Sequence, residues 1–205
     1  MFGRRKRRES DAERRRNEGL NQELCPVWVG YLLLSPFRRL YADPRRILRP
    51  YVREGMVVLD LGCAMGFFSL ALARMVGPEG KVVCVDVQEP MLRVLWRRAD
   101  RAGLDTRIET RLCSPDSLGL DDLRGRVDFA LAFAVVHEVP DAGSFLRQVH
   151  AALKPGARLL LAEPRGHVNA DAFQRILECA GKAGFPRPTG VRVPLCRAVL
   201  LEKQE

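Results

Sequence analysis

The sequence predicts an α/β protein built on a doubly wound, mostly parallel sheet, and three observations carry that prediction. Apolar runs at 56–61, 81–86, 106–112, 127–134 and 157–163 have the length of strands and are apolar on both faces, as strands covered by helices on both sides must be. Helical patterns alternate with these runs, which is the order of parallel strands joined by crossovers. The first run ends in a carboxylate and a small-residue turn, Asp60-Leu-Gly62-Cys-Ala64-Met-Gly66, followed by an apolar helix. Such a turn brings main-chain N–H groups and an acid to one point, where a small ligand can lie against bare backbone.

The elements follow in chain order. Residues 1–24 are charged and nearly free of large apolar side chains, and are expected to be a basic tail, disordered or helical and solvated. Residues 25–55 form an aromatic-rich helical segment, in which Ser35-Pro36 and Asp43-Pro44 each pair an N-cap residue with a proline suited to a first helical turn. From residue 56 to 205 the strand–helix alternation makes one domain. Pro90 opens a helix carrying Leu92, Leu95, Trp96 and Ala99 and closed by Gly103. Asp141 caps another with Phe145, Leu146 and Val149, closed by Lys154-Pro-Gly156. Asn169 caps a third with Phe173, Ile176, Leu177 and Ala180, closed by Gly184. The run 195–202 reads as a last strand, antiparallel to the others.

Composition removes several function classes. The chain has 205 residues, enough for one domain with a sizeable core, and 47% of them are hydrophobic. The net charge is +9, and residues 1–20 hold eight basic side chains against four acidic ones. No apolar core follows the N-terminal arginines, so no secretory signal is read there, and the run Val27 to Leu34 is too short to cross a bilayer. The cysteines at 25, 63, 84, 113, 179 and 196 show no C-x-x-C spacing, and several sit in apolar runs. They are expected to be reduced in a cytoplasmic protein, and no metal site is expected.

The strand ends carry the chemistry. The small residues recur as G-x-A-x-G rather than the G-x-G-x-x-G of a dinucleotide site, and Asp60 stands two positions before the first glycine. A pyrophosphate has no use for a carboxylate there, whereas an ammonium group does, which favours S-adenosylmethionine (SAM) over NAD. Asp86 ends the second strand, where one acid can accept two hydrogen bonds from a ribose diol. Asp116, with Ser117, follows the third strand and reads equally as an adenine contact or a helix cap.

Together, Asp60-Leu-Gly62-Cys-Ala-Met-Gly66, Asp86, Asp116-Ser-Leu118, Val127-Asp-Phe129 and Leu153-Lys-Pro-Gly156 with the following Leu159–Pro164 resemble the successive motifs of class I SAM-dependent methyltransferases. The likeness is strongest to the small-molecule branch that includes the ubiquinone/menaquinone biosynthesis methyltransferases. It implies a Rossmann-like sheet of seven strands with the last antiparallel, and residues 25–55 as a lid in which Trp28, Tyr31, Phe37 and Tyr41 either cover the cofactor or pack on the sheet. It also implies that Gly62, Ala64 and Gly66 pass beneath the methionyl part of SAM and that Asp60 holds its amino group. Asp86, with Val87, takes the ribose; Asp116 and Ser117 take the adenine; and Phe133 completes the contacts. Ala64 departs from the glycine usual at its position.

The acceptor side is built from Phe133-Ala-Val-Val-His137-Glu138 and Ala162-Glu163-Pro-Arg-Gly-His167. His137, Glu138 and Glu163 are the candidate catalytic residues, because a histidine titrates near neutrality and suits deprotonation of an acceptor; each could equally cap or tether a loop. His150 lies mid-helix and is expected to be structural. Methylation of a small-molecule acceptor is therefore expected. RNA or protein methylation using the basic tail is a second reading, disfavoured for nucleic acid by the absence of an Asp/Asn-Pro-Pro-aromatic tetrad or a Pro-Cys pair. A non-catalytic SAM-binding protein is a third, disfavoured because every expected acidic contact is present.

Overall fold

The structure, a computed structural model, describes residues 42–204. The tail 1–24 and the first part of the 25–55 segment, with Cys25, Trp28, Tyr31, the Ser35-Pro36 helix start, Phe37 and Tyr41, lie outside the described residues. Within them Asp43-Pro44 does begin a helix, α1 (Pro44–Leu48), whose cap is the Asp43 carboxylate accepting from the Arg45 amide at 3.0 Å.

The alternating pattern that follows resolves into β1 (Val57–Leu61), α2 (Ser69–Met75), β2 (Lys81–Asp86), α3 (Glu89–Arg101), β3 (Ile108–Leu112), β4 (Val127–Phe133), α4 (Ala142–Ala152), β5 (Leu153–Pro164), α5 (Ala170–Lys182), β6 (Thr189–Gly190) and β7 (Cys196–Glu202). They form one seven-stranded sheet in the order β3-β2-β1-β4-β5-β7-β6. The first five strands run parallel, and β7 lies antiparallel between β5 and β6. Alternation along each strand feeds two cores. Leu59 and Leu61 of β1 pack with Leu146, Val149 and Ile176 beneath α4 and α5. Val58 packs with Leu48, Leu72 and Leu95 beneath α1, α2 and α3 on the other face.

The caps read from sequence are present. Asp141 accepts from Ser144 N at 2.9 Å and Asn169 from Ala172 N at 2.8 Å. Gly103, at φ +64°, ends α3 by turning Leu104 N back to Ala99 O. Three boundaries differ from expectation. Lys154-Pro-Gly156 is not a closing turn ahead of the strand: α4 stops at Ala152, Leu153 already pairs with Val127, and the register shifts before resuming at Phe129 opposite Arg158. The third strand begins at Ile108 because Asp105–Arg107 wind into a 3₁₀ turn. The two-residue β6 gave no periodic signal at all.

The chain doubles back between β1 and β4, so the loops after these neighbouring strands diverge and open a crevice at their carboxyl ends. Gly66, in the turn after β1, has φ +81°, and an added Cβ there would sit 2.8 Å from Leu95 Cγ and 2.9 Å from Leu70 Cδ1. Gly66→Ala is expected to lower unfolding free energy by about 2–4 kcal/mol, combining a left-handed backbone cost with overpacking. Gly119→Ala, also at positive φ but facing open space, is expected to cost about 1 kcal/mol. Urea unfolding of the two variants against the parent checks both.

Candidate active site

A cavity of about 660 Å³ fills the crevice. One end is made by the turn after β1 and the end of β2. Gly62 has φ +66°, and a Cβ there would lie 2.5 Å from Val135 Cγ2, so only glycine lets the loops after β1 and β4 touch. Ala64 also has positive φ, at 46°, a conformation an L-residue adopts at some cost. It is held by Asp86, whose Oδ2 accepts from Ala64 N at 2.9 Å while Oδ1 accepts from Gln88 N at 2.9 Å. One carboxylate therefore ties two cavity loops together. Burial pushes the Asp86 carboxyl above the ordinary carboxylate value, and the amides of Gln88, Ala64 and Val87 pull it back. Asp60 also lines the cavity, with Oδ2 accepting from Ser69 Oγ at 2.5 Å.

The structure brings Asp60, Gly62, Ala64, Asp86, Val87 and Phe133 to this cavity, as the sequence suggested, with Phe67 and Phe68 beside them. Phe68 packs against Phe133 with centroids 4.6 Å apart, so it serves core and wall together. Gly66 is not among the lining residues; its part is the close approach to Leu95. Asp116 and Ser117 are exposed and do not line the cavity either. A Ser114–Ser117 bridge turns the chain there, and Cys113, Ser114, Pro115 and Leu118 form the wall instead. The signal for this was the strand end itself: the residues directly after Leu112 face the crevice before the chain turns out.

The other end is formed by the loops after β4 and β5 and the turn before β7. His137 and Glu138 lie in a 3₁₀ turn, Val136–Glu138, and both line the cavity with His167. Glu163 stands at the end of β5, fully buried behind them. Its Oε1 accepts from Val136 N at 2.8 Å and its Oε2 lies 2.5 Å from His137 Nδ1. That hydrogen bond raises the His137 pKa above the ordinary histidine value, against the opposing effect of burial. Burial raises Glu138 as well. Arg165, within the segment after β5 that the sequence pointed to, also lines this end, and Pro194, Leu195 and Cys196 complete it and were not anticipated. Those three come from the antiparallel return, distant in sequence, where Leu195 O accepts from Arg165 N at 2.9 Å. His150 sits elsewhere, edge-on to Phe185 and against Gly184, in the structural role expected of it. Among the described residues no group of three or more His, Cys, Asp or Glu is arranged to hold a metal, and no helix is long and apolar enough to cross a membrane.

Residues 52–183 match the model of the methyltransferase domain family. The chain belongs to that family. Among curated proteins, this methyltransferase-domain chain is similar to the ubiquinone biosynthesis O-methyltransferase of Methylocella silvestris, at 30% identity over 74% of this chain and 57% of that one. It is also similar to the ubiquinone/menaquinone biosynthesis C-methyltransferase of Pasteurella multocida, at 32% identity over 55% of this chain and 41% of that one. The chain thus spans between two fifths and three fifths of the length of these two relatives. Among solved structures it is similar to a SAM-dependent methyltransferase from Aquifex aeolicus, with a TM-score of 0.77 and 28% identity over 87% of this chain and 99% of that one.

Cys113, in the cavity wall, has its thiol pushed up to about 11, first by burial and then by the Asp86 charge. Compared with a free thiol near 8.5, its thiolate is rarer by roughly a hundredfold or more at pH 7.5. Peptide-resolved iodoacetamide labelling of the folded protein should show Cys113 slower than a free cysteine by a factor of that order, with the difference shrinking as pH approaches 11.

Proposed function

We propose that this protein is a SAM-dependent methyltransferase acting on a small-molecule acceptor, in the cytoplasm. The observation that carries the reading is a single cavity joining a glycine-and-acid turn (Asp60, Gly62, Asp86) to an ionisable pole (His137, Glu138) with apolar walls between. Family membership and the Aquifex aeolicus likeness support it.

The residues present fit SAM. Gly62 presents main chain without a side chain, and Asp60 and Asp86 are the buried acids nearest that turn. Asp60 is suited to the amino group. Asp86 has both oxygens engaged by amides, yet each carboxylate oxygen can accept again, which leaves capacity for a ribose diol. Val87, Gln88 and Met91 suit the nucleoside face, and Cys113 to Leu118 the adenine edge in place of Asp116 and Ser117. When bound, SAM supplies a methyl group already activated as a sulfonium. The work left to the protein is to orient the acceptor in line and exclude water, which supplies much of the acceleration in reactions of this kind. Phe67, Phe133, Val135 and Val139 line the cavity with apolar surface suited to that exclusion.

The acceptor is assigned to the opposite pole. Pro140, Pro164 and Pro194 make a stiff wall there, and His137, Glu138, Arg165 and His167 are its polar contacts. A cavity of about 660 Å³ shared with SAM suits a compact molecule. The thiols of Cys63, Cys84, Cys113 and Cys179 agree with a reducing compartment.

Titration calorimetry tests the cofactor. SAM and S-adenosylhomocysteine are expected to bind and NAD is not. Asp86→Ala is expected to weaken SAM by at least tenfold, with the Ala64 and Gln88 amides losing their acceptor as well. Equal affinity in parent and variant, or tighter binding of NAD, would make the assignment wrong.

A further inference from the structure

Glu163 is buried to zero exposure at the end of β5, and both its oxygens are engaged, one by Val136 N and the other by His137 Nδ1. A carboxylate removed from water is costly unless its partners are held in place, so this acid and the imidazole are bound as a unit. With Nδ1 turned inward to Glu163, the other ring nitrogen, Nε2, is directed to the side of Glu138, whose Oε1 is 3.8 Å away, and His137 and Glu138 both line the cavity. The His167 ring lies edge-on to His137 with centroids 5.5 Å apart. The arrangement is a carboxylate, an oriented imidazole and an open nitrogen facing a pocket, which is the geometry of a proton acceptor.

We propose that Glu163 is the positioning residue of a Glu163–His137 dyad, with Nε2 of His137 as the base, and that the acceptor belongs to the class of nucleophiles that shed a proton on methylation: a hydroxyl, a thiol or a neutral primary or secondary amine. The proposal rests on the SAM-dependent reading above. The acceptor heteroatom uses its electron pair to form the new bond to the methyl carbon, the pair of the old carbon–sulfur bond stays on sulfur, and the heteroatom's proton moves to Nε2. The resulting imidazolium is balanced by the Glu163 carboxylate and later returns its proton to water. Glu163 does not touch the acceptor; it keeps the proton on Nδ1 in the resting ring and stabilises the charge that arrives. Nucleophiles without a proton to lose, such as a thioether or a tertiary amine, make no use of this machinery.

The groups facing His137 are Glu163 from β5, Glu138 from its own turn and His167 from the loop after β5. The two acids favour the charged ring, so the free base is recovered only as pH rises above the ordinary histidine range. Turnover is therefore expected to climb with pH through the His137 midpoint and then level.

The test uses the full chain labelled with ¹⁵N-histidine, which has three imidazoles, at 137, 150 and 167, assigned by substitution. The expected spectrum shows neutral His137 protonated on Nδ1 and a midpoint above about 6.5. Glu163→Gln should lower that midpoint by at least one pH unit, and Glu163→Asp should restore most of the shift. Thermal melting and S-adenosylhomocysteine affinity confirm that each variant is folded. An Nε2–H tautomer, or an unmoved midpoint in a folded Glu163→Gln, overturns the dyad. Release of S-adenosylhomocysteine from SAM is then followed with phenol, benzyl mercaptan, benzylamine and dimethyl sulfide. Turnover of at least one of the first three, reduced a hundredfold or more in His137→Asn and with its pH limb moved to lower pH in Glu163→Gln, supports the proposal. Turnover of dimethyl sulfide alone, or rates unchanged in His137→Asn, overturns it. Failure of the parent to bind S-adenosylhomocysteine at all would instead overturn the SAM-dependent reading, while the imidazole titration still reports on the dyad.

Discussion

The contact between Gly62 and Val135 is the constraint on which the rest of the site depends. The sheet order places β1 beside β4, and the loops leaving these two strands must pass each other at the crevice. They do so because Gly62 has no Cβ where Val135 Cγ2 would stand only 2.5 Å away. Any side chain at position 62 would push the loop after β4 outward, and with it the turn that carries His137 and Glu138. The turn after β1 and the turn after β4 are thus set against one another by a missing methyl group. Asp86 then fixes the first of these turns from the β2 side through Ala64, and Glu163 fixes the second from the β5 side through Val136.

These two acids show how one sheet can fix both ends of a cavity. Each sits at the carboxyl end of a parallel strand, and each accepts from an amide of a loop that leaves the neighbouring region of the sheet. Their environments then separate their roles. Asp86 is at the cavity wall with accepting capacity to spare for a ligand, whereas Glu163 is wholly enclosed and directed at a single imidazole. The chain as a whole carries a net charge of +9, yet the carboxylates Asp60, Asp86 and Glu138 line its cavity against Arg165 as the one Lys or Arg among the described lining residues. A ligand bearing cationic groups finds there the opposite sign to the bulk of the protein surface, and a neutral product is held less strongly by the same charges.

Much of this was legible in the chain because the determinants are local. The caps at Asp43, Asp141 and Asn169 depend on neighbours within a few residues and appear where the pattern places them, and each of the five apolar runs holds a strand. Asp60 and Asp86 were readable as site residues because both lie at strand ends, where side chains of a parallel sheet reach the crevice. Asp116 and Ser117 looked equally suitable by type, but they lie at the outward tip of a turn whose flanking residues, Pro115 and Leu118, line the cavity. The Ser114–Ser117 bridge turns them to solvent after Cys113 and Ser114 have faced inward. The Lys154-Pro-Gly156 motif misled for a related reason: Leu153 is captured by Val127 before the turn, so pairing begins ahead of the residues that seem to announce it.

What the sequence by itself determined is the strand–helix alternation, the glycine-and-acid turn and the methyltransferase-like order of motifs, all of which rest on spacing along the chain. What only the tertiary structure decided is which side chains meet. Nothing within a few residues of Glu163 announces that it lies 2.5 Å from an imidazole twenty-six positions earlier, or that Pro194 to Cys196 close the same cavity. Those contacts arise from β4–β5 pairing and from the antiparallel return of β7, and long-range pairing leaves no periodic trace in the chain that makes it.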